Sequence, residues 1–375
     1  MSISGLKLKS RNKLIATLLI FITFLIFLKI FLKFSAENQK CWNFEEEFGV
    51  ILMDFEILEK IHENHCVPKN FHRKIEIAID VKYQNLIPES FPENFEILFY
   101  SNQEAKDYFE FQNKNLVPKS IFTAENRQNH LKIAKNLEIF KKTWRFSRFR
   151  ECRNMKITRK TAPYPNSVYF PQVMREFRDI FMEQFGILPI LESGTLLGWY
   201  RECGIIPHTK DIDFIARKSD LPKDFMKKFA NFGNFTIARR LGTIEEPLII
   251  SFYANKKVGI DLWILYEPKT GPGPYIAIAV HQEIKKTNKL IPTIYKFQYM
   301  SSIIASFPLE FCSADLFGAI FWVPCNSLDV LRQEYGDFWY LSKDYVWYKD
   351  SKNIIEIQKI RENPKDYFYI VKKAQ

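Results

Sequence analysis

The longest apolar segment of the chain lies near its N-terminus. Residues 14–32 form a nearly unbroken apolar run in which Lys29 is the only charged residue. As an α-helix this run would be about 28 Å long, close to the roughly 30 Å thickness of the hydrocarbon core of a bilayer. The pattern therefore predicts a transmembrane helix over residues 14–34.

The charges beside this run predict its orientation. No acidic residue appears before Glu37, and four basic residues precede the run: Lys7, Lys9, Arg11 and Lys13. Because basic flanks stay in the cytosol, residues 1–13 are expected to be a cytosolic tail and the rest of the chain lumenal. A cleaved signal peptide is the alternative, but the run is long for one and residues 34–36 make a poor cleavage site. We expect a single-pass type II membrane protein with an uncleaved signal anchor.

The segment after the anchor mixes short apolar runs, such as residues 50–53 and 97–100, with charged stretches. This pattern predicts a small α/β stem domain over residues 35–165. Residues 161–166 are rich in turn formers and mark the predicted boundary. Residues 166–375 then form a second domain.

Helical spacing of apolar residues begins in this second domain. Val173, Phe177, Ile180 and Phe181 follow i, i+4, i+7 and i+8 spacing, and Pro171 suits a first helical turn. We expect this helix to pack on the sheet that carries the aspartates described below.

Other elements of the second domain follow from local signals. Further helices are predicted to start near residues 219–222 and to span residues 327–335, where a glycine ends the pattern. Residues 248–253 and 258–266 read as two strands of a hairpin. Residues 268–274 and 283–289 are predicted to be loops at the rim of a binding site.

The most informative segment, residues 191–214, reads LESGTLLGWYRECGIIPHTKDIDF. In an extended strand, Asp211 and Asp213 project to one face while Ile212 and Phe214 project to the other. Two adjacent carboxylates repel each other unless a cation lies between them, and their hard oxygen ligands suit Mg²⁺ or Mn²⁺. Alone, such a pair is more often a solvated acidic turn.

Two neighbouring features favour the functional interpretation. The turn formed by Ser193, Gly194 and Thr195 precedes a short predicted helix, whose first N–H groups could contact a phosphate. Asp261 lies in the second strand of the predicted hairpin, which could bring a third carboxylate beside the first two. We therefore predict a divalent-metal site that binds a pyrophosphate.

The net charge of +11 raises the question of nucleic-acid binding. Six of the positive charges belong to the predicted anchor and its flanks, and the remainder of the chain carries only +5. We therefore expect no nucleic-acid partner. Residues 141–160 hold nine basic residues with interleaved aromatic side chains, which could attract a phosphorylated glycan or a nucleotide, or simply be a solvated face.

All six cysteines fall on the expected lumenal side, where disulfides can form: Cys41, Cys66, Cys152, Cys203, Cys312 and Cys325. None of them has convincing zinc-ligand spacing. Cys312 and Cys325 share a segment without histidine, and we expect both to be oxidised.

Beyond these local patterns, residues 193–213 resemble the core motif of the fukutin/LicD-type phosphotransferase family. Shorter similar motifs cover most of the expected lumenal chain, among them Cys66-Val67-Pro68, Ser147-Arg148-Phe149, Ile260-Asp261-Leu262 and Val323-Pro324-Cys325. The resemblance implies an α/β (α+β) protein whose residues 166–375 form a DNA polymerase beta-like nucleotidyltransferase domain with a mixed sheet.

The resemblance also implies an activity and a location. Such an enzyme transfers ribitol 5-phosphate from CDP-ribitol, or a related CDP-alditol, to a phosphorylated O-mannosyl glycan of a glycoprotein. It would lie in the Golgi membrane or the endoplasmic reticulum, in a complex with other glycosylation enzymes or alone. By motif position, Asp211, Asp213 and Asp261 would be catalytic and hold the metal, and Asp261 is the candidate to accept the acceptor's proton. Candidate contacts for the donor phosphates are Ser193, Gly194, Thr195, Arg201 and His208.

Two other functions remain open at this stage. A nucleotide-sugar glycosyltransferase also uses an Asp-x-Asp pair, although an apolar strand usually leads into that pair, whereas residues 207–210 read PHTK here. A non-catalytic scaffold of the secretory pathway is disfavoured by the presence of all three acids.

Overall fold

The structure is a computed structural model. It describes residues 24–29, 42, 44, 48–61, 67, 73–89, 91–123, 130–159, 161–228, 234–244, 248–254, 258–268, 273–284, 289–299, 309–341, 353–359 and 368–370. The chain divides into two compact units, Met1–Phe99 with Phe122–Lys135 and Tyr100–Ile121 with Asn136–Gln375.

Seven α-helices lie in the described residues, in this order: α1 (24–29), α2 (Phe55–Lys60), α3 (Leu137–Arg145), α4 (Phe170–Phe185), α5 (Ser193–Glu202), α6 (Phe225–Lys228) and α7 (Ser327–Tyr335). The described strands are β1 (Val50–Leu52), β2 (Ile75–Asp80), β3 (Phe95–Ser101), β4 (Tyr108–Phe111), β5 (Leu116–Pro118), β6 (Leu131–Lys132), β7 (Ile190–Leu191), β8 (Asp211–Arg217), β9 (Phe235–Leu241), β10 (Ile249–Ala254), β11 (Val258–Leu265), β12 (Tyr275–Ile284), β13 (Lys289–Gln298), β14 (Phe311–Leu316), β15 (Ala319–Pro324), β16 (Ile354–Lys359) and β17 (Phe368–Ile370).

The predicted membrane anchor lies mostly outside the described residues. Of residues 14–34, only 24–29 are described, and they are helical. Within the described ranges, no helix has both the length and the apolar composition that a membrane span requires. The anchor and the cytosolic tail at residues 1–13 stay predictions.

The first unit contains a small sheet in which β1 pairs with β2 antiparallel and with β6 parallel. The apolar run at residues 50–53 contains β1, which is fully buried from Val50 to Leu52. Helix α2 begins directly after it because the Asp54 side chain accepts a hydrogen bond from the Ile57 N–H at 3.1 Å.

The second unit is built on a mixed sheet of eight strands in the order β14-β15-β7-β8-β11-β10-β9-β17. The pairs β15–β7 and β8–β11 are parallel, and the remaining neighbouring pairs are antiparallel. The mixed α/β character expected from the sequence is confirmed. A further sheet, in the order β12-β13-β16, belongs to the same unit.

Helix α4 covers the face of the large sheet opposite the aspartates. Its predicted apolar stripe is buried at Val173, Phe177 and Phe181. The Phe177 ring stacks on Phe214 of β8, with the ring centroids 5.2 Å apart and the planes at 7°. The helix ends at Gly186, whose φ of +66° is the left-handed conformation that glycine adopts without strain. Both the helix and its packing on this sheet are confirmed.

Some predicted boundaries differ from the structure. Helix α7 has the predicted bounds, whereas residues 218–220 form a 3-10 turn and α6 begins only at Phe225. The prediction of a loop over 283–289 is wrong at its ends, because Glu283, Ile284 and Lys289 belong to the paired strands β12 and β13. Residues 100–121 and 136–165, which we assigned to the stem, belong to the second compact unit.

Candidate active site

The first two aspartates lie at the start of β8 because of the alternation of side chains along a strand. Ile212 and Phe214 are fully buried, and Phe214 packs under α4. Asp211 and Asp213 therefore project to the opposite face, where Asp211 is exposed and Asp213 is partly buried. The Thr209 hydroxyl lies 3.2 Å from Asp211 Oδ1.

Asp261 reaches the same place through a different strand. Strands β10 and β11 form the predicted hairpin, and β11 then pairs in parallel with β8. In this register Asp261 lies directly beside Asp213, and Gly259 lies beside Asp211. Residues that are in register on neighbouring strands share one face of the sheet, so all three carboxylates lie on the face away from α4.

The start of α5 is attached to β8 by hydrogen bonds. The Asp213 N–H donates to the Thr195 hydroxyl at 2.9 Å, and the Glu192 N–H donates to the Asp213 carbonyl at 3.2 Å. Ser193 has a φ of +46°, which is unusual for a residue other than glycine. A Cβ on Gly194 would lie 3.9 Å from Asp213 Oδ2, so the first turn of α5 adjoins the carboxylates.

The structure brings only some of the predicted donor contacts to the aspartates. Ser193 and Gly194 line the same cavity as the aspartates, whereas Thr195 is buried and its hydroxyl already accepts the Asp213 N–H. Arg201 does not line the cavity; it is buried near the end of α5, where it pairs with Glu202 at 2.7 Å. His208 does not line the cavity either.

Two glutamates at the site were not predicted. The Glu192 carboxylate accepts hydrogen bonds from the Tyr299 hydroxyl at 2.9 Å and from the Ser193 N–H. Glu334, in the last turn of α7, accepts from the side chains of Ser193 and Tyr335. The helical spacing of α7 places Glu334 on the same face as buried Val330, and that pattern could have identified it.

The ionisation of these groups reflects burial and mutual repulsion. Burial and the neighbouring Asp211 and Asp261 carboxylates raise the pKa of Asp213 well above its usual value. Burial also raises the pKa of Glu334, to about 7. The pKa of Asp261 is raised by burial, although Arg239 and Ser251 oppose that shift. Negative charge is therefore costly here in the absence of a cation.

These residues surround a cavity of about 340 Å³. Five of the described lining residues are acidic and none is basic: Glu192, Asp211, Asp213, Asp261 and Glu334. The remaining wall is largely apolar and aromatic, with contributions from Trp263, Ile276, Ile278, Phe297 and Val330. The cavity thus combines a strongly anionic end with an apolar wall, an arrangement typical of small-molecule sites.

The carboxylate oxygens are ligands that suit Mg²⁺ or Mn²⁺. In the described ranges, however, no three acidic, histidine or cysteine side chains are arranged closely enough to hold a metal ion. Asp261 Oδ2 instead accepts from Arg239 at 3.3 Å, and Asp213 Oδ1 accepts from Trp263 at 3.3 Å. The residue types and their charge fit a divalent cation, while the side-chain orientations reflect these protein contacts.

Comparisons with known proteins match both parts of the chain. Residues 36–151 match the family described as W02B3.4-like, N-terminal domain, and residues 186–326 match the LicD/FKTN/FKRP nucleotidyltransferase domain. The chain belongs to the LicD/FKTN/FKRP nucleotidyltransferase family. The chain is 30% identical to the uncharacterized protein W02B3.4 of Caenorhabditis elegans over 85% of this chain and 82% of that protein.

Two further relatives extend the comparison. Uncharacterized protein T07A5.1 of Caenorhabditis elegans is 29% identical over 92% of this chain and 94% of that protein. Mouse ribitol-5-phosphate transferase FKTN is 27% identical over 175 residues, which are 46% of this chain but only 34% of FKTN. Family membership supports a phosphotransferase-like role in glycosylation.

Proposed function

We propose that this protein transfers an alditol phosphate, ribitol 5-phosphate from CDP-ribitol or a related CDP-alditol, to a phosphorylated O-mannosyl glycan of a glycoprotein. The observation that carries the proposal is the cavity with five carboxylates and no basic residue among its described lining. An anionic pyrophosphate would be repelled from such a cavity unless a divalent cation bound with it. The similarity to FKTN, named as a ribitol-5-phosphate transferase, supports the choice of donor.

We assign different roles in the reaction to different residues of the cavity. Asp211, Asp213 and Asp261 would hold Mg²⁺ or Mn²⁺, and the bound cation would neutralise the charge of the donor pyrophosphate. Ser193 and Gly194, at the start of α5, would contact the donor phosphates. The apolar wall beside Trp263 would exclude water from the donor.

The transfer itself is a displacement at phosphorus. An acceptor hydroxyl forms a new bond to the phosphorus that carries the alditol, the bond to the CMP oxygen breaks, and CMP leaves. A cavity carboxylate, Asp261 in our proposal, would take the proton of the attacking hydroxyl.

The proposed location is the lumen of the Golgi or the endoplasmic reticulum, with residues 14–34 as the anchor. The disulfides Cys152–Cys203 and Cys312–Cys325 support it, because disulfides persist in oxidising compartments and are rare in the cytosol.

The test is a substitution series measured with several donors. Asp211→Asn, Asp213→Asn and Asp261→Asn should each lower transfer from CDP-ribitol by about 10²–10³-fold or more while the protein still folds. EDTA should mimic these losses, and added Mg²⁺ or Mn²⁺ should restore the wild type alone. Asp224→Asn, at an exposed residue that does not line the cavity, is the matched control.

The outcomes separate the proposal from its alternatives. Full CDP-alditol transfer by the Asp211→Asn/Asp213→Asn double variant would contradict the mechanism. Transfer of a sugar from a UDP-sugar, with no use of CDP-ribitol, CDP-glycerol or CDP-choline, would identify a nucleotide-sugar glycosyltransferase instead.

A non-catalytic role in a glycosylation complex is the second candidate, and one observation favours it. The Arg239 guanidinium contacts Asp261 and already provides the cationic partner that a metal would provide. Calorimetric titration of CDP with and without Mn²⁺ distinguishes the two candidates. The enzyme should bind CDP only with Mn²⁺, and Arg239→Gln should preserve or strengthen that binding, whereas a scaffold should not bind CDP in either condition.

A further inference from the structure

A second cavity of about 400 Å³ lies in the same compact unit as the acidic one, and none of the proposed catalytic residues lines it. Its cationic side chains are Lys114, Arg150 and Arg153, and its aromatic side chains are Phe149, Trp199 and Tyr200. Glu151 is its only acidic lining residue among the described residues, and it lies 3.6 Å from Lys114. The two arginines therefore leave the cavity with a positive excess.

Two disulfides and several hydrogen bonds hold the walls of this cavity. The Cys152–Cys203 bridge connects the segment that carries both arginines to the residue following α5. Beside it, the Arg153 side chain donates to the Tyr200 hydroxyl at 3.0 Å. The Cys312–Cys325 bridge fixes the residues that lead into α7. The arginines and the aromatic side chains of this cavity are thus positioned before any ligand binds.

The first residues of α7 add to the positive character. Ser327 and Leu328 line the cavity, and the first N–H groups of a helix have no partner within that helix. The N-terminal end of a helix also carries a partial positive charge. An anion in the cavity would therefore meet two arginine side chains together with a helix N-terminus.

Helices α5 and α7 reach from this cavity to the acidic one. In α5, Gly194 lines the acidic cavity and Tyr200 lines the basic one. In α7, Glu334 lines the acidic cavity and Ser327 lines the basic one. At 1.5 Å per helical residue, the two cavities are separated by about 10 Å along these axes.

We propose that the basic cavity is a binding site for an anionic saccharide, a sugar that bears a phosphate or a sulfate. The arginines and the start of α7 bind the anion, and Phe149, with Tyr200 beside it, contacts the sugar ring. This site does not depend on the transfer reaction proposed above, because its residues are separate from the carboxylates.

The test is direct binding to the full-length protein in detergent at about 0.15 M salt. Glucose 6-phosphate and glucose 6-sulfate distinguish the two anions, and glucose, inorganic phosphate and inorganic sulfate separate the sugar from each anion. We expect at least one anionic sugar to bind at least tenfold more tightly than either separate component. The assignment would be overturned if glucose alone, or the matching inorganic anion alone, bound as tightly as each anionic sugar.

Substitutions then locate the site. Arg150→Ala/Arg153→Ala should weaken binding at least tenfold, about 1.4 kcal/mol. The matched control, Arg145→Ala/Lys156→Ala, removes the same charge from residues of this basic segment that do not line the cavity. Arg150→Glu, which leaves the Arg153–Tyr200 contact in place, serves if the double variant fails to fold, and it should weaken binding as strongly. Equal losses in control and test variants would show nonspecific attraction and overturn the proposal.

Discussion

At the scale of single residues, Glu334 shows most clearly that negative charge is unfavourable in the acidic cavity. Its carboxylate accepts from Ser193 and Tyr335, and it lies near enough to Glu192 and Asp213 to raise the pKa of each. Burial raises the pKa of Glu334 itself from 4.5 to about 7. A carboxyl group of this kind favours the folded state only while it is protonated.

Glu334→Gln should therefore stabilise the metal-free protein at high pH. The wild type should lose stability as the pH rises from about 4.5, where the unfolded carboxyl ionises, through about 7, where the folded one ionises. Glutamine does not ionise, so the variant does not lose stability in this way. Its free energy of unfolding should exceed that of the wild type by about 1–3 kcal/mol at pH 8 and by almost nothing at pH 4.5.

Thermal unfolding in EDTA at both pH values measures the effect, at roughly 2–4 °C per kcal/mol. Exposed Glu183 provides the control, because Glu183→Gln should leave the unfolding temperature unchanged at both pH values. A Glu334→Gln protein less stable than the wild type at pH 8 would show that the carboxylate is stabilised by contacts rather than penalised.

The same residue shows why the sequence predicts only part of the site. Asp211 and Asp213 are two residues apart, so the alternation of a strand is sufficient to place them together. Glu334 and Ser193 are far apart in sequence, and only the packing of α7 beside α5 brings them into contact. Arg201 shows the opposite case, since a charged residue close in sequence to the motif is buried in an ion pair at the far end of α5.

At the scale of elements, α5 depends on a close approach by the chain that follows it. A Cβ on Gly198 would lie 2.9 Å from the Gly204 carbonyl oxygen and 2.9 Å from the Ile206 nitrogen. Both are backbone atoms, which cannot move aside as a flexible side chain could. The helix can therefore approach this segment only where the side chain is absent.

Gly198→Ala should destabilise the protein although alanine favours helices by about 1 kcal/mol over glycine. Overpacking of this kind costs about 1–3 kcal/mol, which exceeds that gain. Denaturant unfolding of the purified protein measures the difference. Gly204→Ala is the control, because its Cβ would meet no atom closer than 3.7 Å. Equal stability of the two variants would mean that the backbone contact relaxes freely.

Helix ends were predictable where the signals are local, and strand partners were not. Helix α7 has its predicted bounds because Gly336 ends it, and Pro171 lies in the first turn of α4. The pairing of β8 with β11 joins residues about 50 positions apart, and the sequence allowed a hairpin near Asp261 without fixing its neighbour. Non-local strand order depends on the whole sheet, which no local pattern specifies.

At the scale of the whole molecule, the chain combines a strongly basic N-terminus with cysteines that pair within its second unit. Cys152 pairs with Cys203 at a Cα separation of 5.2 Å, and Cys312 pairs with Cys325 at 5.0 Å. The pairing of Cys312 with Cys325 agrees with the expectation that both are oxidised. Cys41 and Cys66 lie outside the described residues.

Peptide mapping of the non-reduced protein should recover both pairs as linked peptides. Each cross-link closes a loop that the unfolded chain would otherwise leave open, and its loss typically costs about 2–5 kcal/mol. Cys312→Ala/Cys325→Ala should therefore lower the unfolding temperature. Free thiols at all four positions in protein from a secretory expression host would contradict the assignment.

The topology of the full chain is the prediction on which the proposed location depends. Basic residues precede the apolar run at 14–32, so the short N-terminus should remain cytosolic and everything after residue 34 should be lumenal. On sealed microsomes, added protease should leave an epitope tag at the C-terminus intact and should remove one placed before residue 7. Detergent should expose both tags, which controls for the activity of the protease. Digestion of the C-terminal tag without detergent would place the acidic cavity in the cytosol, away from O-mannosyl glycoproteins in the secretory lumen, and the proposed acceptor would have to be abandoned.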